Sequence, residues 1–283
     1  MNEKLTVRDI INFKKQGRKI VMITAYDYAF ARLVDQAGVD IVLVGDSASM
    51  VMMGYKDTRF VKLSEMITFS KSVSRGVERA LVVGDMPFMS FQVSKREAVR
   101  NAGRMVKEGM VDAVKLEGGR ECEETVKAIV QAGIPVMGHI GLTPQSAAMN
   151  TGFRLTAKSA EDAIKIVEDA RALERAGAFA IVAEYVTAEV AEYIANHISI
   201  PLIGIGSGPG CDGQVLVLHD LLGLYDKSPP FSKKYVDLAQ TVIDAVSRYK
   251  SEVLEGLFPS EEYTKHMKKE EHEEFLARVG KLG

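Results

Sequence analysis

Short apolar runs alternate with longer stretches of helical period along most of the chain. Eight of the runs are almost continuously apolar, which is typical of parallel strands covered on both faces and not of half-exposed antiparallel strands. Each run therefore predicts one buried strand. The eight read "IVMITAY" from Ile20, "DIVLVGDS" from Asp40, "LVVGDMPF" from Leu81, "AVKLEGG" from Ala113, "PVMGHIGLT" from Pro135, "FAIVAEYV" from Phe179, "PLIGIGSG" from Pro201 and "QVLVLHDLLG" from Gln214.

Amphipathic patterns between these runs predict six helices, over residues 28–36, 63–75, 94–108, 121–131, 160–176 and 188–196. Four of the helix-to-strand junctions carry a glycine, in "QAGVDIV", "KEGMVDAV", "QAGIPVM" and "RAGAFAI". A glycine at this place is typical of a helix C-terminus.

The repeated order of strand, helix and glycine predicts an α/β fold, a (β/α)8 TIM barrel. The alternative is an open doubly wound sheet, but "TAYDYAFA" after the first strand lacks the G-x-G-x-x-G turn expected there. Ahead of that strand, "LTVRDIINFKKQG" predicts an extra helix over the barrel floor, with Thr6 and Asp9 as a capping box and Gly17 as the stop. We expect one domain over residues 1–283, with the N-terminal helix in 1–17, the barrel in 18–256 and a charged helical tail in 257–283.

Composition narrows the class of protein. A formal charge of −2 over 283 residues means that the chain has no excess of positive charge with which to bind the phosphates of nucleic acid. The two cysteines, Cys122 and Cys211, are too few to stabilise a chain of this size with disulfide bonds. Such low cysteine use is typical of a reducing compartment. Charged residues and glycines interrupt every apolar run before it could cross a bilayer, and no apolar leader opens the chain. We expect a cytoplasmic protein without a membrane or nucleic-acid partner.

Ionisable residues end five successive predicted strands. Active sites of this barrel lie at the carboxyl ends of the strands, so these side chains are expected to share one rim. Three of them are carboxylates, hard oxygen ligands suited to Mg²⁺, and the paired His or Cys ligands of a zinc site are missing. The residues are Asp46 and Ser47 on strand two, Asp85 on strand three, Lys115 and Glu117 on strand four, His139 on strand five and Glu184 on strand six.

Each residue also has an ordinary structural interpretation. A single Asp at a strand end often caps the next helix or pairs with an arginine, and a lone His is often a satisfied core residue. A structural interpretation is less favoured when several such residues share one rim, because three carboxylates in a partly dry cleft repel one another by several kcal/mol. They require a bound cation or a raised pKa, and Lys115 neutralises only part of their charge.

Six motifs between residues 6 and 256 resemble those of the ketopantoate hydroxymethyltransferase family, in the family's order and spacing. Departures are Ala48 and Ser49 where the family usually has Leu-Gly, and Tyr185 and Thr187 where it usually has Cys and Pro. The six motifs are "VGDSASMVMMGY", "DMPFMSFQ", "KLEGG", "GHIGLTPQS", "AEYV" and "IGIGSGPGCDGQVLVLHDLLG".

The resemblance implies a one-carbon transferase of pantothenate biosynthesis. It implies that a hydroxymethyl group passes from 5,10-methylenetetrahydrofolate, the co-substrate, to 3-methyl-2-oxobutanoate, giving 2-dehydropantoate through a Mg²⁺-stabilised enolate. By similarity, the ion is held by Asp46 and Asp85, with Glu117 a ligand or just behind them. Ser47 and Lys115 would hold the oxo acid, and Glu184 would be the general base. His139 would meet the new hydroxymethyl oxygen or the folate.

The resemblance also implies a ring-built homo-oligomer, commonly a decamer, whose C-terminal helices pack across subunits. Two other functions stay open. A related lyase or mutase could use the same Mg²⁺ enolate site, but the "KKCGH"-like loop typical of those enzymes does not follow strand four. A catalytically silent binding protein would be expected to have lost one of the four acidic residues. The glycines of "GIGSGPG" are interpreted as allowing close packing against substrate or helix, not as a phosphate cradle.

Overall fold

A computed structural model of the protein describes residues 3–146, 154–225 and 228–280. Within these residues eight parallel strands form a closed barrel in chain order. Pairing of the last strand with the first closes it, with Ile20 opposite Gly213. The predicted TIM barrel is therefore confirmed. The strands are β1 (Ile20–Thr24), β2 (Ile41–Val44), β3 (Leu81–Asp85), β4 (Ala113–Glu117), β5 (Val136–Gly141), β6 (Ala180–Glu184), β7 (Leu202–Ile205) and β8 (Gly213–Leu216).

All six predicted helices are present, with ends within two residues of the prediction. Three of the four junction glycines, Gly38, Gly133 and Gly177, take the left-handed conformation expected of a helix stop. At the fourth junction Met110 takes it instead of Gly109. The α-helices are α1 (Val7–Lys15), α2 (Tyr28–Gln36), α3 (Ala48–Val51), α4 (Leu63–Gly76), α5 (Lys95–Lys107), α6 (Glu123–Gln131), α7 (Ala160–Arg175), α8 (Ala188–His197), α9 (Leu218–Leu222), α10 (Leu238–Leu254) and α11 (Lys269–Val279).

The eighth strand is shorter than predicted, and the assignment of "HDLLG" to it was wrong. β8 ends at Leu216 and α9 begins at Leu218. The backbone N–H of Leu218 donates to Thr24 Oγ1 at 2.9 Å, so the chain leaves the ladder with β1 there. Gly223, in the left-handed conformation, ends the short helix.

The connection from β7 to β8, residues 206–212, has no helix. Its glycines allow the tight return. A Cβ on Gly206 would approach the Phe231 ring to 2.7 Å, and one on Gly208 would approach the Ala188 Cβ of α8 to 2.6 Å. Close packing against a helix, as predicted for this segment, is confirmed. Without an outer helix here, Val21 of β1 remains 52% exposed.

Helix α1 closes the floor of the barrel, as predicted. Thr6 and Asp9 form the expected capping box, with the Thr6 N–H donating to Asp9 Oδ2 at 2.9 Å. Ile10 is fully buried in the same hydrophobic cluster as Ile20, Ile41 and Leu81, which begin their strands. A second cluster fills the space between the barrel and its helices. Apolar side chains thus fill the floor of the barrel and the space around its strands. The polar and charged side chains lie at the opposite rim.

Two helices follow the barrel. Helix α10 was not predicted, and none of its residues is buried. Helix α11, in the predicted charged tail, likewise has no buried residue. Among the helices of residues 3–146, 154–225 and 228–280, none combines the length and apolar character needed to cross a membrane.

Candidate active site

A cavity of about 570 Å³ opens at the carboxyl ends of the strands. Because the strands are parallel, their C-terminal residues meet at this rim, as the sequence predicts. The cavity walls include all seven residues predicted for the site, namely Asp46, Ser47, Asp85, Lys115, Glu117, His139 and Glu184.

The turn after β2 joins Asp46 to the end of β3. The backbone N–H of Asp46 donates to Asp85 Oδ2 at 3.1 Å, and the charge of Asp85 acts on the Asp46 carboxyl. The next residue, Ser47, shares a hydrogen bond of 2.8 Å between its Oγ and the hydroxyl oxygen of buried Tyr26. The strand therefore runs directly into a carboxylate and a hydroxyl that neighbouring strands fix in place.

Lys115 lies at the centre of the acidic residues. Its Nζ is 2.5 Å from Asp85 Oδ1 and 3.2 Å from His139 Nδ1. Burial alone would lower the pKa of Lys115, but the charges of Asp85 and Asp46 raise it above the ordinary value. This ammonium is therefore positively charged at neutral pH.

His139 connects the buried acids to Glu184. Since an ammonium group can only donate, we assign Nδ1 of His139 as the acceptor from Lys115 and place the imidazole proton on Nε2. That Nε2 is 3.3 Å from Glu184 Oε2, while Nδ1 is 3.7 Å from Glu117 Oε1. Burial and the charge of Lys115 lower the pKa of His139, which keeps the ring neutral.

The site holds more negative than positive charge. Burial, with the nearby charge of Asp85, raises the pKa of Asp46 to about 7. Burial and the charge of Asp46 likewise raise the pKa of Glu117 well above its usual value. Such a site favours a cation, and carboxylate oxygens are ligands that suit Mg²⁺.

A three-carboxylate cage is not preformed in the part of the chain that the structure describes, where no three His, Cys, Asp or Glu side chains are arranged around one metal position. Both oxygens of Asp85 contact protein groups, since Oδ2 accepts the backbone N–H of Asp46 at 3.1 Å and Oδ1 lies 2.5 Å from Lys115 Nζ. Both oxygens of Glu117 face protein groups: Oε2 accepts the backbone N–H of Gln145 at 3.0 Å, and Oε1 lies near His139.

Gln145, in the 3₁₀ turn Pro144–Ser146 after β5, is a site residue that sequence reasoning missed. Its side-chain Nε2 donates to Asp46 Oδ2 at 2.8 Å and to the carbonyl oxygen of Met86 at 3.1 Å. The only signal in the sequence was its place in the quoted motif "GHIGLTPQS".

Tyr185 bends the chain directly after Glu184. It takes a left-handed conformation with φ of 51°, which is uncommon for a residue with a bulky side chain. Its N–H donates to the Ile205 carbonyl at 2.8 Å, and its ring lies 5.2 Å from that of Phe231. Tyr185 therefore packs against Phe231, which lines the cavity, and does not itself line it.

The outer part of the cavity is largely apolar, with walls that include Met50, Val51, Tyr225, Pro229 and Phe231. The hydroxyl of Tyr225 donates to the Val51 carbonyl at 2.6 Å, which ties the segment after α9 to the end of α3. The apolar vestibule thus leads to a polar inner end.

Known proteins resemble this chain over nearly its whole length. Residues 4–261 match the family model described as ketopantoate hydroxymethyltransferase. Two relatives are named 3-methyl-2-oxobutanoate hydroxymethyltransferase. The Staphylothermus marinus protein is 55% identical over 96% of this chain and 99% of its own. The Acetivibrio thermocellus protein is 52% identical over 92% of this chain and 93% of its own.

Solved structures share the fold at low sequence identity. A phosphonopyruvate hydrolase complex with oxalate and Mg²⁺ aligns with a TM-score of 0.60 at 13% identity, over 98% of both chains. A 2,3-dimethylmalate lyase aligns with a TM-score of 0.58 at 17% identity, over 99% of both chains. These likenesses support the barrel alone, whereas the family model and the close relatives cover nearly all of the sequence. The chain belongs to the ketopantoate hydroxymethyltransferase family, a family of transferase enzymes.

Proposed function

We propose that the enzyme transfers a hydroxymethyl group from 5,10-methylenetetrahydrofolate to 3-methyl-2-oxobutanoate, giving 2-dehydropantoate and tetrahydrofolate in pantothenate biosynthesis. Water supplies the hydroxyl oxygen of the product. The observation that carries this proposal is the convergence of all seven predicted polar residues on one cavity with an apolar vestibule. A cytoplasmic location is part of the same proposal.

The inner end of the cavity binds the oxo acid. Asp46 and Asp85 would hold Mg²⁺, with Glu117 behind them, and the bound ion would stabilise negative charge on the substrate's ketone oxygen. Lys115 holds a positive charge beside Asp85, and Ser47 offers a hydroxyl whose position Tyr26 fixes. These groups would orient the substrate's oxygens at the inner end, and Glu184 at the end of β6 lines the same cavity.

Glu184 is the group that accepts the C3 proton. Its side chain is 14% exposed and lies opposite the paired aspartates, with its Oε2 near His139 Nε2. His139 Nε2 lies 3.3 Å from Glu184 Oε2, so the imidazole proton assigned to Nε2 is close to this carboxylate. In the same arrangement, His139 is within reach of a hydroxymethyl oxygen forming on C3. The negative charge released at C3 moves to the ketone oxygen, where the positive groups of the inner end lie.

The vestibule suits the flat ring system of the one-carbon donor. Its walls carry the ring of Tyr225 and the side chains of Met50 and Phe231. Flat aromatic ligands bind well between apolar and aromatic side chains. The methylene carbon of a donor bound there would face the inner end of the cavity, where C3 of the oxo acid lies.

An isotope experiment tests the reaction in two steps. The enzyme is incubated with Mg²⁺ and 3-methyl-2-oxobutanoate in heavy water, and loss of the C3 proton is followed by NMR. Methylenetetrahydrofolate is then added, and formation of 2-dehydropantoate is measured. We expect exchange in the first step and product only in the second. Exchange without product would instead favour a lyase or mutase, and neither event would favour a binding protein.

The variant Glu184→Gln tests the proton acceptor. It keeps the size and polarity of the side chain but removes the base, so exchange is expected to stop while the oxo acid still binds. Glu189, in the first turn of α8, gives a matched control, because Glu189→Gln changes an acid outside the cavity. Exchange by Glu184→Gln at the wild-type rate would show that another group accepts the proton.

We further propose that the enzyme is a homo-oligomer, a decamer, in which C-terminal helices pack across subunits. Helix α10 supports this, because its apolar side chains are exposed, including Val242 at 47%, Ile243 at 57% and Val246 at 59%. Val246→Asp is expected to reduce the mass measured by size-exclusion chromatography with light scattering. Ser247→Asp is the control on the same helix, and an unchanged mass for Val246→Asp would contradict the proposal.

A further inference from the structure

Gln145 joins three neighbouring parts of the rim. Its side chain donates to Asp46 after β2 and to the Met86 carbonyl after β3. Its backbone N–H donates to Glu117 Oε2 at the end of β4. One residue of the loop after β5 therefore contacts the ends of three other strands, two of them through carboxylates of the proposed cation site.

A hydrogen bond from Gln92 fixes the orientation of the Gln145 amide. Gln92 Nε2 donates to Gln145 Oε1 at 3.3 Å, so the oxygen of Gln145 faces Gln92 and its NH₂ group faces Asp46. Both partners of that NH₂ group, Asp46 Oδ2 and the Met86 carbonyl, are acceptors. A flipped amide would place oxygen against oxygen at both contacts, so only one orientation satisfies the network.

Gln145 lies behind the cavity wall and not in it. It is 3% exposed, and the wall at this point is formed by its neighbour Pro144. A substrate in the cavity would therefore meet Asp46 and not Gln145. Any effect of Gln145 on the reaction passes through the groups that it holds.

We infer that Gln145 is a positioning residue, which holds Oδ2 of Asp46 so that Oδ1 is the oxygen presented to a divalent cation. This inference rests on the proposed function, because it assigns a role within the same cation site. Partners that orient a ligating side chain commonly contribute 10–100-fold to metal affinity. The Gln145 side chain donates to Asp46, and its backbone to Glu117, so it would order both acids before the cation binds.

The variant Gln145→Met tests the inference, because methionine has similar length but no N–H donor. Binding of Mn²⁺ alone, as a probe of the Mg²⁺ site, is measured by the EPR signal of the free ion at the same alkaline pH for both proteins. We expect about 10–100-fold weaker binding by Gln145→Met. Turnover measured with saturating Mg²⁺ is expected to return to within about threefold of wild type, since the variant lowers the occupancy of the site and leaves the chemistry intact.

Gln92→Met is the matched control. It makes the same chemical change one hydrogen bond further from Asp46, so Mn²⁺ binding is expected to weaken by less than about threefold. If Gln145→Met does not fold, Gln145→Asn replaces it, because its amide ends one methylene short of Asp46.

Two results would overturn this inference and leave the proposed function intact. They are wild-type Mn²⁺ affinity in the folded Gln145 variant, or equal weakening of Mn²⁺ binding by Gln92→Met. A loss of turnover that excess Mg²⁺ does not restore would also overturn it. A wild-type protein that binds no divalent cation would instead remove the cation from the proposed function, and this inference with it.

Discussion

Replacing Asp46 by Asn should stabilise the ion-free enzyme at pH 8 while removing cation binding. The pKa of Asp46 rises from 3.8 to about 7, chiefly because burial disfavours its ionised form. One pKa unit corresponds to about 1.36 kcal/mol, so ionising this group in the folded state costs up to about 4 kcal/mol. Because relaxation of the site reduces such a cost, we expect a gain of about 2–4 kcal/mol.

The sign of the pH dependence follows from linkage. The folded state binds the Asp46 proton more tightly than the unfolded state, so the cost is absent below pH 3.8 and complete above about pH 7. Wild-type stability should therefore fall as the pH rises through this window, while Asp46→Asn lacks this contribution. The difference in stability between the two proteins should shrink by more than half between pH 8 and pH 5.

Thermal unfolding in EDTA, at equal protein concentration, measures the difference. A gain of about 2–4 kcal/mol should raise Tm by roughly 4–10 °C at pH 8. Added Mg²⁺ should stabilise the wild type and leave Asp46→Asn unchanged, because a ligand stabilises only the state that binds it. The control is Asp57→Asn, since a hydrogen bond from Arg59 lowers the pKa of Asp57 and its removal should not stabilise the protein.

Lower stability of Asp46→Asn at pH 8 would refute this reasoning. So would a difference in Tm that stays constant between pH 5 and pH 8, because a change in packing, unlike a change in ionisation, does not depend on pH in this range. Either result would show that the side chain of Asp46 contributes more through its hydrogen bonds than its buried charge costs.

Three further substitutions give measurable outcomes. Lys115→Met leaves the buried acids without their cation and should destabilise the protein by about 3–5 kcal/mol in urea unfolding; full stability would contradict the central role of the 2.5 Å pair with Asp85. Asp85→Asn should weaken Mg²⁺ binding by roughly 10–100-fold or more in calorimetry, since even the partners of a metal ligand contribute that much, and an unchanged titration would exclude Asp85 as a ligand. Gly206→Ala adds a Cβ at a φ of 64° and should cost about 1–3 kcal/mol of stability, whereas Gly103→Ala, with open space around it, should not.

The sequence predicts the barrel and the rim because both depend on local patterns. A strand covered on both faces must be apolar throughout, so runs such as "IVLV" in β2 stand out. Parallel strands of one barrel share a polarity, so charged residues at their ends must meet at one rim. Asp46, Asp85 and Glu184 were therefore found without any knowledge of their contacts.

Other features depend on contacts that no local pattern records. Gln145 is uncharged and lies in a loop, so only its hydrogen bonds to Asp46 and Met86 reveal its role. The start of α9 at Leu218 depends on a hydrogen bond to Thr24, far away in the chain. Helix α10 was missed because the expected alternation of strand and helix ended with β8.

Closure of the barrel by β1 and β8 has a consequence for the newly made chain. Gly213 pairs with Ile20 but lies 193 positions after it. At a synthesis rate of about 5–20 residues per second, the edge of β1 waits roughly 10–40 s for its partner on the ribosome. An exposed apolar edge is prone to pair with other chains during such a delay. Helix α1 precedes β1 and contacts it at the floor, so its apolar face shields the start of this strand but leaves the edge that waits for β8 unpaired.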